Sequence, residues 1–437
     1  MQPASPCPSH SPLVSSPFYN PFMTNGLPSY NEAAALVASR AAAIRARQPE
    51  TELVDLAAAA GRVLAAPVHA DRAMPSLPRS TRDGYACRAT EASSHALLTV
   101  AGAIRAGDPP SAPLPSNSVW EIMTGAAVPA GADAVAMVEH VEVIDNQVRL
   151  LAPRLLESGE NIVPEGAEAR AGDEIVPSGV RLSASSIAAA ASCGYAALKV
   201  FVRPRVAILT TGDELVSVSQ IPSPGQIRNS NASMLAALVA QAGAEPWVQP
   251  PARDSADDLD AALRKAVQAD MVLISGGVSA GKFDLVEPAL DRLGAIVHFT
   301  GVSIQPGKPL VFCEVPRTGE LPAAQVFGLP GNPISSAATF LLFATPILSA
   351  LAGSGEVRPQ FAVARLARDV KGKPGLTRFV PSACAFHPLG GAEPTVAPVN
   401  WQGSGDLSAF AHANCFTAVP EGVERLAAGE LVRILLF

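Results

Sequence analysis

Three signals are missing from this chain, and each absence removes a class of function. It has no CxxC pair: its six cysteines, Cys7, Cys87, Cys193, Cys313, Cys384 and Cys415, are far apart. Such spacing argues against a disulfide framework or a zinc module and suits reduced, mostly buried thiols, so the expected compartment is cytoplasmic. Basic clusters are also missing. With 32 Lys+Arg against 39 Asp+Glu the formal net charge is −7, so no nucleic acid and no acidic membrane is an expected partner. Finally, there is no GxSxG, HExxH or Walker loop and no Ser-His-Asp spacing, which argues against the commonest hydrolase and NTPase chemistries.

Long apolar runs are nearly absent too. The first residues, MQPASPCPSHSPLVSSPFYNPF, have no basic start and no continuous apolar core, which argues against an ordinary secretory signal. Their Pro/Ser density predicts a disordered extension over residues 1–27. One uncharged segment, residues 333–353, has nearly the length of a membrane span. It begins at a ligand-type loop rather than at a charged flank. The expectation is a buried helix that packs on a sheet and bends near Pro346, with no membrane partner.

What is present is a large apolar share, 48% of 437 residues, enough for two to four cores. Apolar positions recur at three and four residues over 29–70, and a small-residue helix spans about 183–193, so residues 28–74 and 161–202 are expected to form a helical linker domain. Between them, residues 75–160 hold short apolar runs separated by Pro, Gly and Asn, with DNQ (145–147) as a hairpin turn; this is an inserted β-rich module. Residues 203–354 alternate strand and helix, predicting a doubly wound α/β sheet. Asn229, Ser230 or Asn231 would cap its first helix and Ser255 its second. Residues 355–437 return to short strands and predict a small C-terminal β-barrel or sandwich.

Glycine-bearing loops punctuate the α/β region. VAILTTGDE (206–214), MVLISGGVSAGKFD (271–284), SIQPGKPL (303–310) and AQVFGLPGNPISS (324–336) mostly follow apolar strands. Backbone N–H groups at the ends of such strands and at following helix starts suit a phosphorylated ligand. Gly276, Gly277, Ser279, Pro330, Gly331, Asn332 and Pro333 are therefore candidate substrate contacts. Asp213, Glu214 and Asp284 lie at two strand ends in the same predicted crevice. Carboxylates beside anion-binding loops suit a divalent cation bridging to phosphate; the alternative is that they favour a helix dipole. Lys308, braced by Pro306 and Pro309, suits an oxyanion ligand or is a solvated lysine. Asn332 either caps the following helix or hydrogen-bonds a planar heterocycle.

Taken in order, DGYA, IMTGAAVPAGADAV, TTGDEL, GQIRNSN, SGGVSAGKFD, QPGKP and GLPGNP resemble the molybdopterin molybdenumtransferase family, which includes the MoeA proteins and the gephyrin E domain. The resemblance runs from about residue 28 to the C-terminus. It implies a homodimer of four-domain subunits whose central α/β domain binds molybdopterin. The implied reaction takes adenylated molybdopterin and molybdate to molybdenum cofactor and AMP, with Mg2+ or another divalent cation. A molybdopterin adenylyltransferase is a possible partner. The implied roles put Asp213, Glu214 and Asp284 at the pterin, with Glu214 and Asp284 as metal ligands. Lys308, Pro330, Asn332 and Pro333 would hold the phosphate region and Ser404 would contribute from the barrel, while Asp83 and Thr124 would act from the β module of the other subunit.

The chain departs from the family pattern in three loops. Leu77-Pro78-Arg79-Ser80-Thr81-Arg82 replaces an acid- and Asn-bearing loop, Ala167 and Glu168 stand where an acid pair is usual, and Gln305 replaces a lysine. Arg79 and Arg82 are expected to serve the anion site instead. The alternative function is a molybdopterin or molybdenum-cofactor carrier or scaffold with little or no turnover. A hydrolase of a nucleotide-like pyrophosphate would use the same central domain, but the flanking β modules argue against it.

Overall fold

The computed structural model describes residues 26–47, 49–109, 112–277, 285–319, 321–355, 359–386 and 393–437. Ser279, Asp284 and residues 1–25 of the expected extension lie outside them. The chain divides into two compact units, one of residues 53–60 with 64–200 and the other of the remainder.

The larger unit opens with helix α1 (Tyr30–Arg45), which starts where Ser29 and Glu32 form a capping box. Ser29 Oγ accepts from the Glu32 N–H at 3.3 Å, and the Glu32 carboxylate accepts from the Ser29 N–H at 2.8 Å.

The smaller unit carries the inserted module. Strands β1 (Gly84–Cys87), β2 (Leu98–Ile104), β3 (Ser118–Ile122), β4 (Ala134–Met137), β5 (Val141–Ile144) and β6 (Gln147–Leu150) form one sheet in the order β4-β1-β3-β2-β6-β5. The hairpin expected at DNQ joins β5 to β6, with Ile144 opposite Gln147. The apolar run AVAMVEHVEVI (134–144) breaks into β4 and β5 around a 3-10 turn at Val138–His140. A second core, with Leu64, Val68, Leu182, Leu198 and Val200, holds helix α2 (Ala184–Ser192).

The second helix expected within 29–70, LVDLAAAAGRVLAAPV over 53–68, does not form. Thr51–Asp55 is a strand and Leu56–Ala58 a single 3-10 turn. Leu64 instead pairs as an antiparallel bridge with Val200, so tertiary pairing overrides the helical spacing. Nor do α1 and α2 share a helical domain. The α1 residues Ala33, Val37 and Ala41 enter a core with Val206, Leu235 and Ile347, and Arg40 pairs with Glu314.

In the larger unit, β7 (Arg205–Thr210), α3 (Ser230–Gln241), β8 (Glu245–Val248), α4 (Ala256–Ala266), β9 (Met271–Ser275), α5 (Val286–Arg292), β10 (Ile296–Thr300), β11 (Val311–Val315), β12 (Ala324–Leu329) and α6 (Pro333–Thr339) follow in turn. The strands are ordered β8-β7-β9-β12-β11-β10. All run parallel except β11, which is antiparallel to both neighbours and was not foreseen. Both faces are covered. Val206, Ile208, Met271 and Leu273 pack toward α3 and α6, while Ala207, Leu209, Val272 and Ile274 pack toward α4 and α5. That is why these strands read as unbroken apolar runs. Phe312 and Phe327 stack across β11 and β12 with centroids 4.4 Å apart.

After α6 the chain makes a π-helical turn at Phe340–Ala344 and continues as α7 (Thr345–Leu351). Pro346 has no N–H for the helical ladder, and the π turn precedes it, so the break falls where the proline placed it. This helix is 83% buried over its most apolar window, as a core helix is.

The C-terminal strands β13 (Phe361–Leu366), β14 (Thr377–Ala385), β15 (Thr395–Pro398), β16 (Cys415–Val419) and β17 (Leu431–Leu436) pair in the order β14-β15-β13-β17-β16. Pairing of β16 back onto β14 closes a five-stranded barrel, which decides against a sandwich.

Candidate functional site

The crevice predicted by strand topology is present. The connection from β7 leads outward to β8, and the chain then returns past β7 to β9, so the switch point lies between β7 and β9. A cavity of about 780 Å³ opens there, lined by Thr211 after β7, Ser275 at the end of β9 and Gly276 after it, and Pro330 and Gly331 after β12. Glu214, Gly277, Asn332 and Pro333 also line it, together with Asn229, Asn231 and Asp254.

Its shape depends on glycine. Gly276 has φ +99°, and a Cβ there would lie 2.7 Å from the Thr211 carbonyl oxygen. Gly277 has φ +66° and the same Thr211 side chain 3.1 Å from its Cβ position. Both backbones are therefore closed to other residues at this geometry. A Cβ on Gly331 would meet Gly276 Cα at 3.7 Å, so two bare backbones face each other on the wall.

Hydrogen bonds hold the loops in register. Thr211 N–H donates to the Ser275 carbonyl at 3.1 Å and Gly276 N–H to the Leu329 carbonyl at 3.3 Å. Asn229 caps α3: its Oδ1 accepts from Ala232 N–H at 3.2 Å, and its Nδ2 donates to Thr210 Oγ1 at 2.8 Å. Ser255 caps α4 in the same way, accepting from Asp258 N–H at 3.2 Å. Asn332 stands at the N-cap of α6 but makes no side-chain cap bond, so capping does not occupy its amide.

The acidic residues differ in role. Glu214 is exposed, lines the cavity and has no ion-pair partner among the described residues. Asp213 is not among the lining residues. It is tied instead to Asp254, each residue's N–H donating to the other's carboxylate at 3.3 and 3.4 Å. Asp254, which does line the cavity, follows the edge strand β8 and was missed. The strand-end rule that found Glu214 would have found it.

A second cavity of about 550 Å³ shares Pro309, Pro330 and Asn332 with the first and is lined by Gln305, Lys308, Arg378 and Ser404. The Ser404 carbonyl accepts from Ile334 N–H at 3.1 Å, which ties the barrel loop to the start of α6. Arg378 had no local signal: it enters from β14, far along the chain, and donates to the Lys371 carbonyl. Among the described residues no three His, Cys, Asp or Glu side chains group as a metal centre. The carboxylates of Glu214 and Asp254 are nonetheless oxygen donors of the kind a hard divalent cation takes.

In the β module, Asp83 and Thr124 are in contact. Asp83 Oδ1 accepts from Thr124 N–H at 2.7 Å and from its hydroxyl at 2.8 Å. These bonds, the backbone one foremost, hold the exposed Asp83 carboxyl below the usual carboxylate range. A depressed group of this kind favours the fold above the ordinary carboxylate pKa and loses that effect as pH falls through its own lowered value. Thr124→Val keeps the N–H and removes the hydroxyl. The Asp83 midpoint, followed by carboxyl carbon NMR, should move part of the way back toward the ordinary value. An unmoved midpoint would assign the whole depression to the backbone.

Arg79 does not have a free guanidinium. It pairs with Glu168, so one side of it is engaged within the module. The two residues that depart from the family pattern thus neutralise each other. Arg82 is exposed, and its guanidinium donates no hydrogen bond among the described residues.

Comparison with known proteins agrees along the chain. Residues 28–194 match the model of the MoeA N-terminal region (domain I and II), 207–350 that of a "probable molybdopterin binding domain", and 363–437 that of the MoeA C-terminal region (domain IV). A protein of Nostoc sp. named molybdopterin molybdenumtransferase is 37% identical over 402 residues, covering 89% of each chain. One of Bacillus subtilis with the same name is 34% identical over 398 residues, covering 89% of this chain and 90% of its own. The crystal structure of the molybdopterin biosynthesis MoeA protein of Pyrococcus horikoshii superposes with a TM-score of 0.77 at 27% identity, over 94% of this chain and all of that one.

Proposed function

The chain belongs to the MoeA family of molybdopterin molybdenumtransferases, and we propose that it carries out the transfer at the cavity between β7 and β9. It is an enzyme of molybdenum cofactor biosynthesis. Its substrates are adenylated molybdopterin and molybdate. The observation that carries this reading is the pair of adjoining cavities, one with carboxylates and bare glycine backbone, the other with Lys308 and Arg378.

In the reaction two dithiolene sulfurs bond to molybdenum and displace oxide, which leaves as water after taking up protons. Water cleaves the pyrophosphate linkage and AMP departs. Both nucleophiles come from substrate or solvent, so no cysteine of the chain is needed. The chain's own share is positioning and charge. Backbone at Gly276, Gly277 and Gly331 lets the phosphate region approach closely. Pro330 and Pro333 stiffen the loop that carries Asn332. Lys308 and Arg378 stabilise the molybdate oxyanion, with Ser404 beside them. Glu214 and Asp254 would hold Mg2+ or another divalent cation, which would supply charge to the pyrophosphate; the family resemblance adds Asp284 to them. Arg82, exposed and without a hydrogen-bonded partner for its guanidinium among the described residues, is a further candidate ligand for the molybdate anion. Calorimetric titration of Arg82→Ala with molybdate should show a loss of roughly 1.5–3 kcal/mol, smaller at high salt; equal affinity would remove it from the site.

The protein acts as a cytoplasmic homodimer, and Asp83 and Thr124 complete the site of the other subunit. This follows from their likeness to trans-acting family residues. Mixing Asp83→Asn protein with Glu214→Gln protein in equal amounts tests it. Random exchange makes half the dimers mixed, each with one intact site, so about a quarter of wild-type activity should return. No recovery after verified exchange, or a monomer by light scattering, contradicts the shared site. The carrier reading is not favoured, because the relatives named above are transferases.

A further inference from the structure

We infer that Asn231 and Ser336 are positioning residues: they fix the peptide planes of the loop at 330–332, so that it meets a bound phosphate with N–H groups rather than carbonyl oxygens. This deepens the reading of the cavities given above and rests on it. The loop belongs to both cavities, since Pro330 and Asn332 line each of them, and Gly331 and Asn332 are exposed. Its two successive carbonyls are both taken. Ser336 Oγ donates to the Pro330 carbonyl, and Asn231 Nδ2 donates to the Gly331 carbonyl at 2.7 Å. The same Nδ2 donates to Ser275 Oγ at 2.8 Å, and Ser275 Oγ lies 3.5 Å from Ser336 Oγ. Side chains from α3, the end of β9 and α6 thus form one connected chain that grips the loop at two points. Ser275 and Ser336 are buried, so the grip is anchored in the core.

Covalent geometry carries the consequence. In a trans peptide the C=O and the N–H point in opposite directions. The peptides after Pro330 and after Gly331 are both trans. With the Pro330 carbonyl turned to Ser336, the Gly331 N–H points away from Ser336. With the Gly331 carbonyl turned to Asn231, the Asn332 N–H points away from Asn231. Neither N–H donates to an acceptor among the described residues. Gly331 is where this orientation needs holding, because glycine resists a turn of its peptide planes less than any other residue. A turned plane would set a carbonyl oxygen against the anion, which it repels.

6-Hydroxymethylpterin and its monophosphate ester separate this role from a merely structural one. Calorimetric titration of the intact protein gives both Kd values. The wild-type protein should bind the ester more tightly than the alcohol by about tenfold or more, as charge-assisted hydrogen bonds do. Asn231→Leu, similar in size and without a donor, should cut that preference several-fold and leave the Kd of the alcohol nearly unchanged. Ser336→Ala should do the same. Loosened packing would instead weaken both probes alike. Either variant decides alone, so one that fails to fold, as judged by thermal unfolding, leaves the other to decide. A wild-type protein without the preference, a preference that survives in the folded variants, or equal weakening of both probes overturns the inference. If neither probe binds the wild-type protein at all, the reading of the cavity itself fails, and the inference with it.

Discussion

Gly276→Ala should all but abolish ligand binding at the cavity while leaving most of the fold in place. Any residue other than glycine at φ +99° is strained, and here the new Cβ would sit 2.7 Å from the Thr211 carbonyl oxygen. Neither atom is a flexible side-chain end, so backbone must move. The strain is about 1–3 kcal/mol, a modest loss for a domain with this much buried core. The functional cost is larger, because the loops after β7 and β9 abut one another and both line the cavity. A displacement of roughly 1 Å at such a site costs on the order of 10²-fold in turnover. Thermal unfolding and a substrate titration of the same preparation check both halves. Unchanged affinity would mean that the loop after β9 is not part of the site.

Glu214→Gln should lower turnover by at least ~10-fold, equivalent to about 1.4 kcal/mol or more in the barrier. Stability should hold within about 0.5 kcal/mol, because the side chain is exposed and the change keeps its shape. The variant removes a negative oxygen donor from the cavity and little else. Rate and Mg2+ dependence should change together. Full activity in the variant would remove the carboxylate from the chemistry.

Much of this was legible in the sequence, and the failures share a cause. The strands RVAIL and MVLIS, the glycine loops that follow them and the proline break at 346 are written locally, and each appears where local physics placed it. Most of the residues missed were those positioned by distant parts of the chain; Asp254, just beyond the edge strand β8, was a local signal passed over. Residues 51–70 carry helical spacing, but Leu64 pairs with Val200 across more than a hundred residues. Arg378 reaches the second cavity from the barrel. Arg79 looked like a free cation until folding brought Glu168 to it. Strand β11 escaped notice because its short apolar run follows a Pro-Gly loop and carries no periodic pattern of its own. Asn231 is an intermediate case. Its place at the start of a helix suggested capping, yet the neighbouring Asn229 takes that role and leaves Asn231 to face the cavity.

The most direct test of the central claim is conversion by the purified protein. Adenylated molybdopterin is supplied with Mg2+, with and without molybdate, and AMP is followed together with the ability of the product to activate a molybdenum-free molybdoenzyme. A transferase releases AMP in step with active cofactor, and does so only when molybdate is present. Tight retention of adenylated molybdopterin with no AMP and no active cofactor would contradict it and leave a binding protein in its place.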